Sequence, residues 1–160
     1  MPTFNNLKDL EKMLDPYFQK AAIKTRDEIF EIVSRKVSEY YSEPVFEHEP
    51  YDVPDYYQRT GNLMESLTAS HVTKTKNGYE FTVGWDDDYL SFRYPRGFGK
   101  SQYNGITGAQ VLQAFNSSTH GFTVDGKHDY FDEAMDEIKS RGGVDGIFIK
   151  HLKKQGVPIM

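Results

Sequence analysis

The chain contains no cysteine. Disulfides, cysteine-ligated zinc and thiol nucleophiles are therefore excluded together. The same absence fits a reducing compartment. No run reaches the roughly 18 consecutive apolar residues of a membrane-spanning helix. The first residues, MPTFNNLKDLEK, lack a basic segment followed by an apolar one, so no secretion signal is expected there. Basic charge is short as well. Nineteen Lys and Arg against 24 Asp and Glu leave a net charge of −5, the wrong balance for general nucleic-acid binding, which rests on neutralising phosphates. Internal repeats and low-complexity tracts are also missing.

What is present suits one ordinary domain over residues 1–160, long enough to bury a core without staples. Hydrophobic residues make up only 38%, but aromatics reach 14%, with 11 Tyr and 11 Phe. The core is expected to be aromatic-rich, with some tyrosines left for surface contacts.

Residues 7–41 read as helical, because Leu10, Leu14, Phe18, Ala22, Ile29, Val33, Val37 and Tyr40 recur mostly at spacings of three, four or seven. Asp15-Pro16 reads as an N-cap and first helical residue, which predicts a short helix at about 6–14 and a long one at about 16–41. Glu31 and Arg35 have the spacing of a supporting pair. The stretch 43–56, EPVFEHEPYDVPDY, carries three prolines and reads as a long extended loop. Thr60 or Asn62 can cap a short helix with Leu63, Met64 and Leu67 facing inward, and Gly61 frees the chain to turn into it.

The clearest local signal is LTASHVTKTKNGYEFTVGW. Leu67, Ala69, His71 and Thr73 alternate on the way out, Asn77-Gly78 supplies a turn, and Tyr79, Phe81, Val83 and Trp85 alternate on the return. The pattern predicts a hairpin with strands at about 67–75 and 79–85. Residues 86–107 are loop-rich, and a short helix is expected at about 108–116. HDYFDEAMDEIKSR predicts a helix at about 129–141 with Phe131, Ala134, Met135 and Ile138 on one face, ended by Gly142-Gly143. VDGIFIKHLKKQG predicts a last helix whose apolar residues are Ile147, Ile149 and Leu152.

Candidate chemistry is sparse. Asp86-Asp87-Asp88 lacks the order of a calcium loop and reads as a solvated turn. His120, Asp125, His128 and Asp129 form a loose cluster without zinc spacing; it supports a small metal-dependent hydrolase as the alternative from another class. Ser117 and Ser118 sit in no nucleophile elbow, and GFGK at 97–100 is not a phosphate loop. Arg59, Thr60 and Gly61 could hold an anion at a helix start, though an ion pair for Arg59 is the simpler reading.

At YQRTGNLMESL the chain resembles the small neck or tail-completion proteins of tailed bacteriophages, also described as minor head or head–tail joining proteins. The likeness rests on Arg59, Thr60, Gly61, Leu63 and Ser66, on the hairpin that follows, and on FDEAMDEI at 131–138 before a last helix closing on GVPI at 156–159. The resemblance implies an α+β fold: a long N-terminal helix and C-terminal helices packed on a small antiparallel sheet that includes the 67–85 hairpin. It also implies no catalysis, no cofactor and no metal. The implied place is the virion neck or tail, reached after synthesis in the host cytoplasm. There the chain would form a homo-oligomeric ring between head-connector and tail proteins, with DNA passing through unread and no membrane involved. A tail terminator is the alternative within that class. Tyr56, Tyr57, Arg59, Thr60 and Gly61 are the anchoring or subunit-contact candidates. Asp86, Asp87 and Asp88 are the channel-lining candidates, since acids repel the phosphates of passing DNA.

Overall fold

The computed structural model describes residues 7–42, 62–86 and 130–159. Helix α1 spans Leu7–Ser42 and α2 spans Asn62–Glu65. Four short strands follow: β1 Leu67–Ala69, β2 Thr73–Thr75, β3 Gly78–Glu80 and β4 Val83–Trp85. Helices α3, Tyr130–Ser140, and α4, Gly143–Lys154, close the chain. The fold is α+β, with a long N-terminal helix, two C-terminal helices and a small antiparallel sheet, as expected. The loop at 43–56 and the helix at 108–116 lie outside the described residues, as does the 86–107 loop beyond Asp86.

The chain divides into two compact units. One comprises Met1–Glu31, Ala69–Val83 and Glu137–Met160; the other comprises Ile32–Thr68 and Gly84–Asp136.

Helix α1 corrects the expected break at Pro16. Proline sits inside one continuous 36-residue helix, about 54 Å long at 1.5 Å per residue. Proline removes one backbone donor and crowds the carbonyl one turn earlier. Pro16 lies on an exposed side of the helix, where that carbonyl can be hydrated. Asp15 does not cap; its carboxylate is taken by the hairpin, as described below. Arg35 also departs from expectation and pairs forward with Glu39 at 3.0 Å rather than back to Glu31.

In the first unit α1 buries Ala21, Ala22, Thr25 and Ile29. Two alanines side by side let neighbouring backbones come close, and the Thr25 hydroxyl is satisfied by donating to the Ala21 carbonyl at 2.8 Å. Phe18 meets Phe148 of α4 with ring centroids 6.2 Å apart. In the second unit α1 buries Ile32, Val33 and Val37. There Trp85 contacts both Tyr130 and Phe131 of α3 at 6.2 Å.

The hairpin is present but interrupted. β2 and β3 pair antiparallel with Thr73 opposite Glu80 and Thr75 opposite Gly78. The two turn residues are thus Lys76 and Asn77, one position earlier than the Asn77-Gly78 turn expected, and Gly78 opens the return strand at φ 144°. Further along, the Ser70 N–H donates to the Thr82 carbonyl at 2.8 Å and the Asp86 N–H donates to the Ser66 carbonyl at 2.8 Å. Ser70 therefore faces Thr82, so His71 and Val72 both lie opposite Phe81. This is a β-bulge, and it shifts the pleat by one residue. Val72 is half-buried whereas His71 and Thr73 are exposed, against the alternation expected for the outgoing strand. The return strand keeps its phase, with Tyr79, Phe81, Val83 and Trp85 all half-buried.

Helix α3 buries Tyr130, Ala134 and Ile138, spaced by one turn each. Ala134 and Ile138 are buried as expected, whereas Phe131 is 36% exposed, Met135 is half-buried and Tyr130 takes the buried place at the start of the helix. Met64 of α2 is likewise exposed rather than inward, while Leu67 is buried as expected. Gly142 and Gly143 end α3 as expected, with left-handed φ values of 88° and 72°. The turn is tight: a Cβ on Gly146 would lie 2.5 Å from the Arg141 carbonyl oxygen. Only glycine lets α4 start so close to the end of α3. On α4, Ile147 and Leu152 are buried and Ile149 is exposed.

Candidate functional site

The best-defined polar constellation lies in the first unit, where α1 carries two acids that gather donors from remote parts of the chain. Glu28 is the denser centre, with a side chain only 13% exposed. Arg141 Nη1 donates to Glu28 Oε1 at 2.6 Å. Lys150 Nζ donates to both carboxylate oxygens, and His151 Nε2 lies 2.9 Å from Oε2. Arg141 bridges onward through Nη2 to Glu137 at 2.6 Å. The Gly142-Gly143 turn and Gly146 make this possible, because they bring Arg141 at the end of α3 alongside the helix that carries Lys150 and His151.

Burial by itself pushes the Glu28 carboxyl up. The hydrogen bonds from Lys150, Arg141 and His151, with the Lys150 charge, outweigh it and hold the group at about 2, against 4.5 for an ordinary Glu. A carboxylate so weakly basic is a poor general base near neutral pH. Its chemistry is that of a clamp, an anion fixing three donors from two elements.

Asp15 is the second centre. Lys74 Nζ and the Tyr79 hydroxyl both donate to Asp15 Oδ1, at 2.5 and 2.6 Å, and the same hydroxyl lies 3.2 Å from the Asp15 carbonyl. Lys74 and then Tyr79 hold Asp15 below the usual carboxylate range. Burial, then the bond to Asp15 and its charge, push the Tyr79 phenol up to about 12. Tyr79 stays a neutral donor and is no nucleophile at neutral pH.

Eleven residues on from Asp15, about three turns along the same flank of α1, Arg26 Nη1 donates to the Ser70 carbonyl at 3.1 Å. That carbonyl is released from the sheet by the bulge, and the Ser70 hydroxyl takes its place by accepting the Thr82 N–H at 2.8 Å. The hairpin is thus tied to α1 at both ends of β2's neighbourhood, and α3–α4 are tied through Glu28. In the second unit Lys36 Nζ bridges Glu39 and Glu133, at 3.0 Å each.

The sequence pattern singles out none of these residues as a site, and the candidates it does offer fall elsewhere. Tyr56, Tyr57, Arg59, Thr60 and Gly61 lie outside the described residues, as do Asp87 and Asp88. So do His120, Asp125, His128 and Asp129 of the hydrolase alternative. Asp86 is described: it is exposed, and its backbone N–H closes the end of the β1–β4 ladder. Among the described residues no cluster of three or more His, Asp or Glu is arranged to hold a metal ion. Among them, too, no helix is long and apolar enough to cross a membrane.

Residues 6–155 match the sequence profile of the YomN family, and the chain belongs to that family. It is a phage-associated protein. No curated protein and no solved structure matches it.

Proposed function

We propose that this chain is a non-catalytic structural protein of a tailed phage or prophage virion, a tail-completion or head–tail joining component that assembles as a ring at the neck. The observation that carries the reading is the order of elements: long helix, short α2 leading into a hairpin, then two C-terminal helices closing on Gly156 to Ile159. That order is the one the resemblance at Arg59–Leu63 implies, and membership of a phage-associated family supports it. The saturated carboxylates support it as well. Glu28 and Asp15 are spent on holding elements together, which suits a part that carries load between neighbours. Its partners in this reading are copies of itself, a head-connector protein and a tail protein. DNA passes without base contacts, and the exposed Asp86 with its two acidic neighbours faces the passing phosphates.

The test is to find the chain in the particle. An epitope tag on the phage-borne gene should label purified virions by immunogold at the head–tail junction, with several copies per particle. Label absent from infectious virions, or confined to the host cytoplasm, would overturn the reading.

A further inference from the structure

Two contacts in the first unit fix how the end of α4 lies along α1. Gln155 Nε2 donates to the Tyr17 carbonyl at 3.2 Å, and Lys150 Nζ donates to Glu28. Between those contacts α1 carries Lys20 and Lys24, and α4 carries Lys153 and Lys154; all four are exposed. Lys24 stands one turn before Glu28 and Lys154 one turn after Lys150, so the two reach the same margin of the helix pair. None of the four has an ion-pair or hydrogen-bond partner among the described residues, in contrast to Lys36, Lys74 and Lys150. The nearby acids are spent or distant. Asp27 is taken by Arg26, and Glu28 by Arg141 and Lys150. Glu31 lies about 10 Å beyond Lys24 along α1, and Asp145 about 12 Å before Lys153 along α4. Four like charges gathered without an answering carboxylate repel one another and make this margin a seat for an anion. Steps of four, three and four residues put Met13 and Tyr17, 39% and 41% exposed, on the same face of α1 as Lys20 and Lys24.

We propose that this lysine margin docks the acidic segment 43–56 of a second copy of the chain. The inference rests on the ring reading and names the contact that would build it. The segment, EPVFEHEPYDVPDY, lies outside the described residues, and its sequence supplies the complement. It carries five acids and no Lys or Arg, with Val45, Phe46, Tyr51 and Val53 set among the acids. Its carboxylates answer the four lysines, and its apolar side chains answer Met13 and Tyr17. Its three prolines fix φ and so reduce the freedom lost on docking. Duplex DNA would answer the lysines, but it would meet a chain of net charge −5 and leave Met13 and Tyr17 in water. Every copy offers both the margin and the segment, and the two differ. The contact is therefore heterologous: it propagates from copy to copy and closes as a ring if the rotation permits.

The absence of native cysteine makes a cross-linking test clean. Full-length Tyr17→Cys and Tyr51→Cys chains, one enlarged by a tag, are mixed and oxidised. The expected product is a reducible heterodimer several-fold above its statistical share relative to the two homodimers. Lys20→Glu with Lys24→Glu in the first chain should cut the yield several-fold, and Glu47→Lys with Glu49→Lys in the second should restore it. These lysines are exposed, so thermal melts of the reversed chain should match those of the parent. A second measurement needs no cysteine. A labelled peptide of residues 43–56 should bind the wild-type chain by fluorescence anisotropy, more weakly as salt rises, and several-fold more weakly to Lys153→Glu with Lys154→Glu. Heterodimer at the statistical share together with no peptide binding overturns the proposal, and so does a yield indifferent to charge reversal. A link that forms only within single chains carrying both cysteines overturns it too. So does duplex DNA bound through the same lysines while the segment stays unlinked. If the link forms but a phage lacking the gene is normal, the contact stands and the neck role falls. If no link forms but heads and tails separate without the gene, the neck role stands and this contact falls.

Discussion

Glu28→Gln is the sharpest perturbation of the fold. The substitution keeps the shape and removes the charge that Arg141, Lys150 and His151 share. Lowering the carboxyl from 4.5 to about 2 corresponds to roughly 3 kcal/mol if the whole shift counts as folding free energy. Arg141 and Lys150 are 40% and 41% exposed, so water screens part of it and about 2 kcal/mol is the expected loss. For a chain of this length that is a fall of roughly 4–8 °C in Tm. The sign of the pH dependence is fixed. The folded-state value is depressed, so the contribution is present above pH 4.5 and is lost as pH falls from there toward 2. Thermal melts of wild type and Glu28→Gln should therefore differ at pH 7 and converge as pH falls through that window. A variant within about 0.5 kcal/mol of wild type at neutral pH, the range of an ordinary surface change, would refute the clamp. A gap that stays constant with pH would do so equally.

Other outcomes follow from the same contacts. Gly146→Ala puts a Cβ against the Arg141 carbonyl and should cost about 1–3 kcal/mol by overpacking; because it displaces Arg141, its effect and that of Glu28→Gln should fall short of additive in a double-mutant cycle. Tyr79→Phe should remove a phenol that titrates near 12 from an alkaline absorbance titration. Since that value is raised, the stability tied to Tyr79 is intact below pH 10 and is lost as pH climbs toward 12. In the second unit Ala134→Leu, at a fully buried position, should cost about 1–3 kcal/mol and shift the emission of Trp85, the sole tryptophan, which packs on the same helix; unchanged emission and stability would count against that packing.

What can be read from the sequence is local. The Gly-Gly stop, the last two helices and the in-phase return strand are written in spacings of a few residues, and the structure keeps them. Asp15-Pro16 misleads because the local signal for a helix start is real, yet the Asp15 carboxylate is claimed by Lys74 and Tyr79, 59 and 64 residues away. The outgoing strand slips its phase because Ser70 substitutes a hydroxyl for a backbone carbonyl, which no alternation pattern encodes. Glu28 does not stand out as a clamp because its partners lie 113 to 123 residues away. A mixed-charge helix surface looks the same whether its acids meet water or remote cations.

The neck role has one direct test: remove the reading frame from its parent phage, induce, and image the lysate by electron microscopy. The account predicts DNA-filled heads and free tails lying separate, restored to whole particles by the gene in trans. Intact, infectious virions would contradict it.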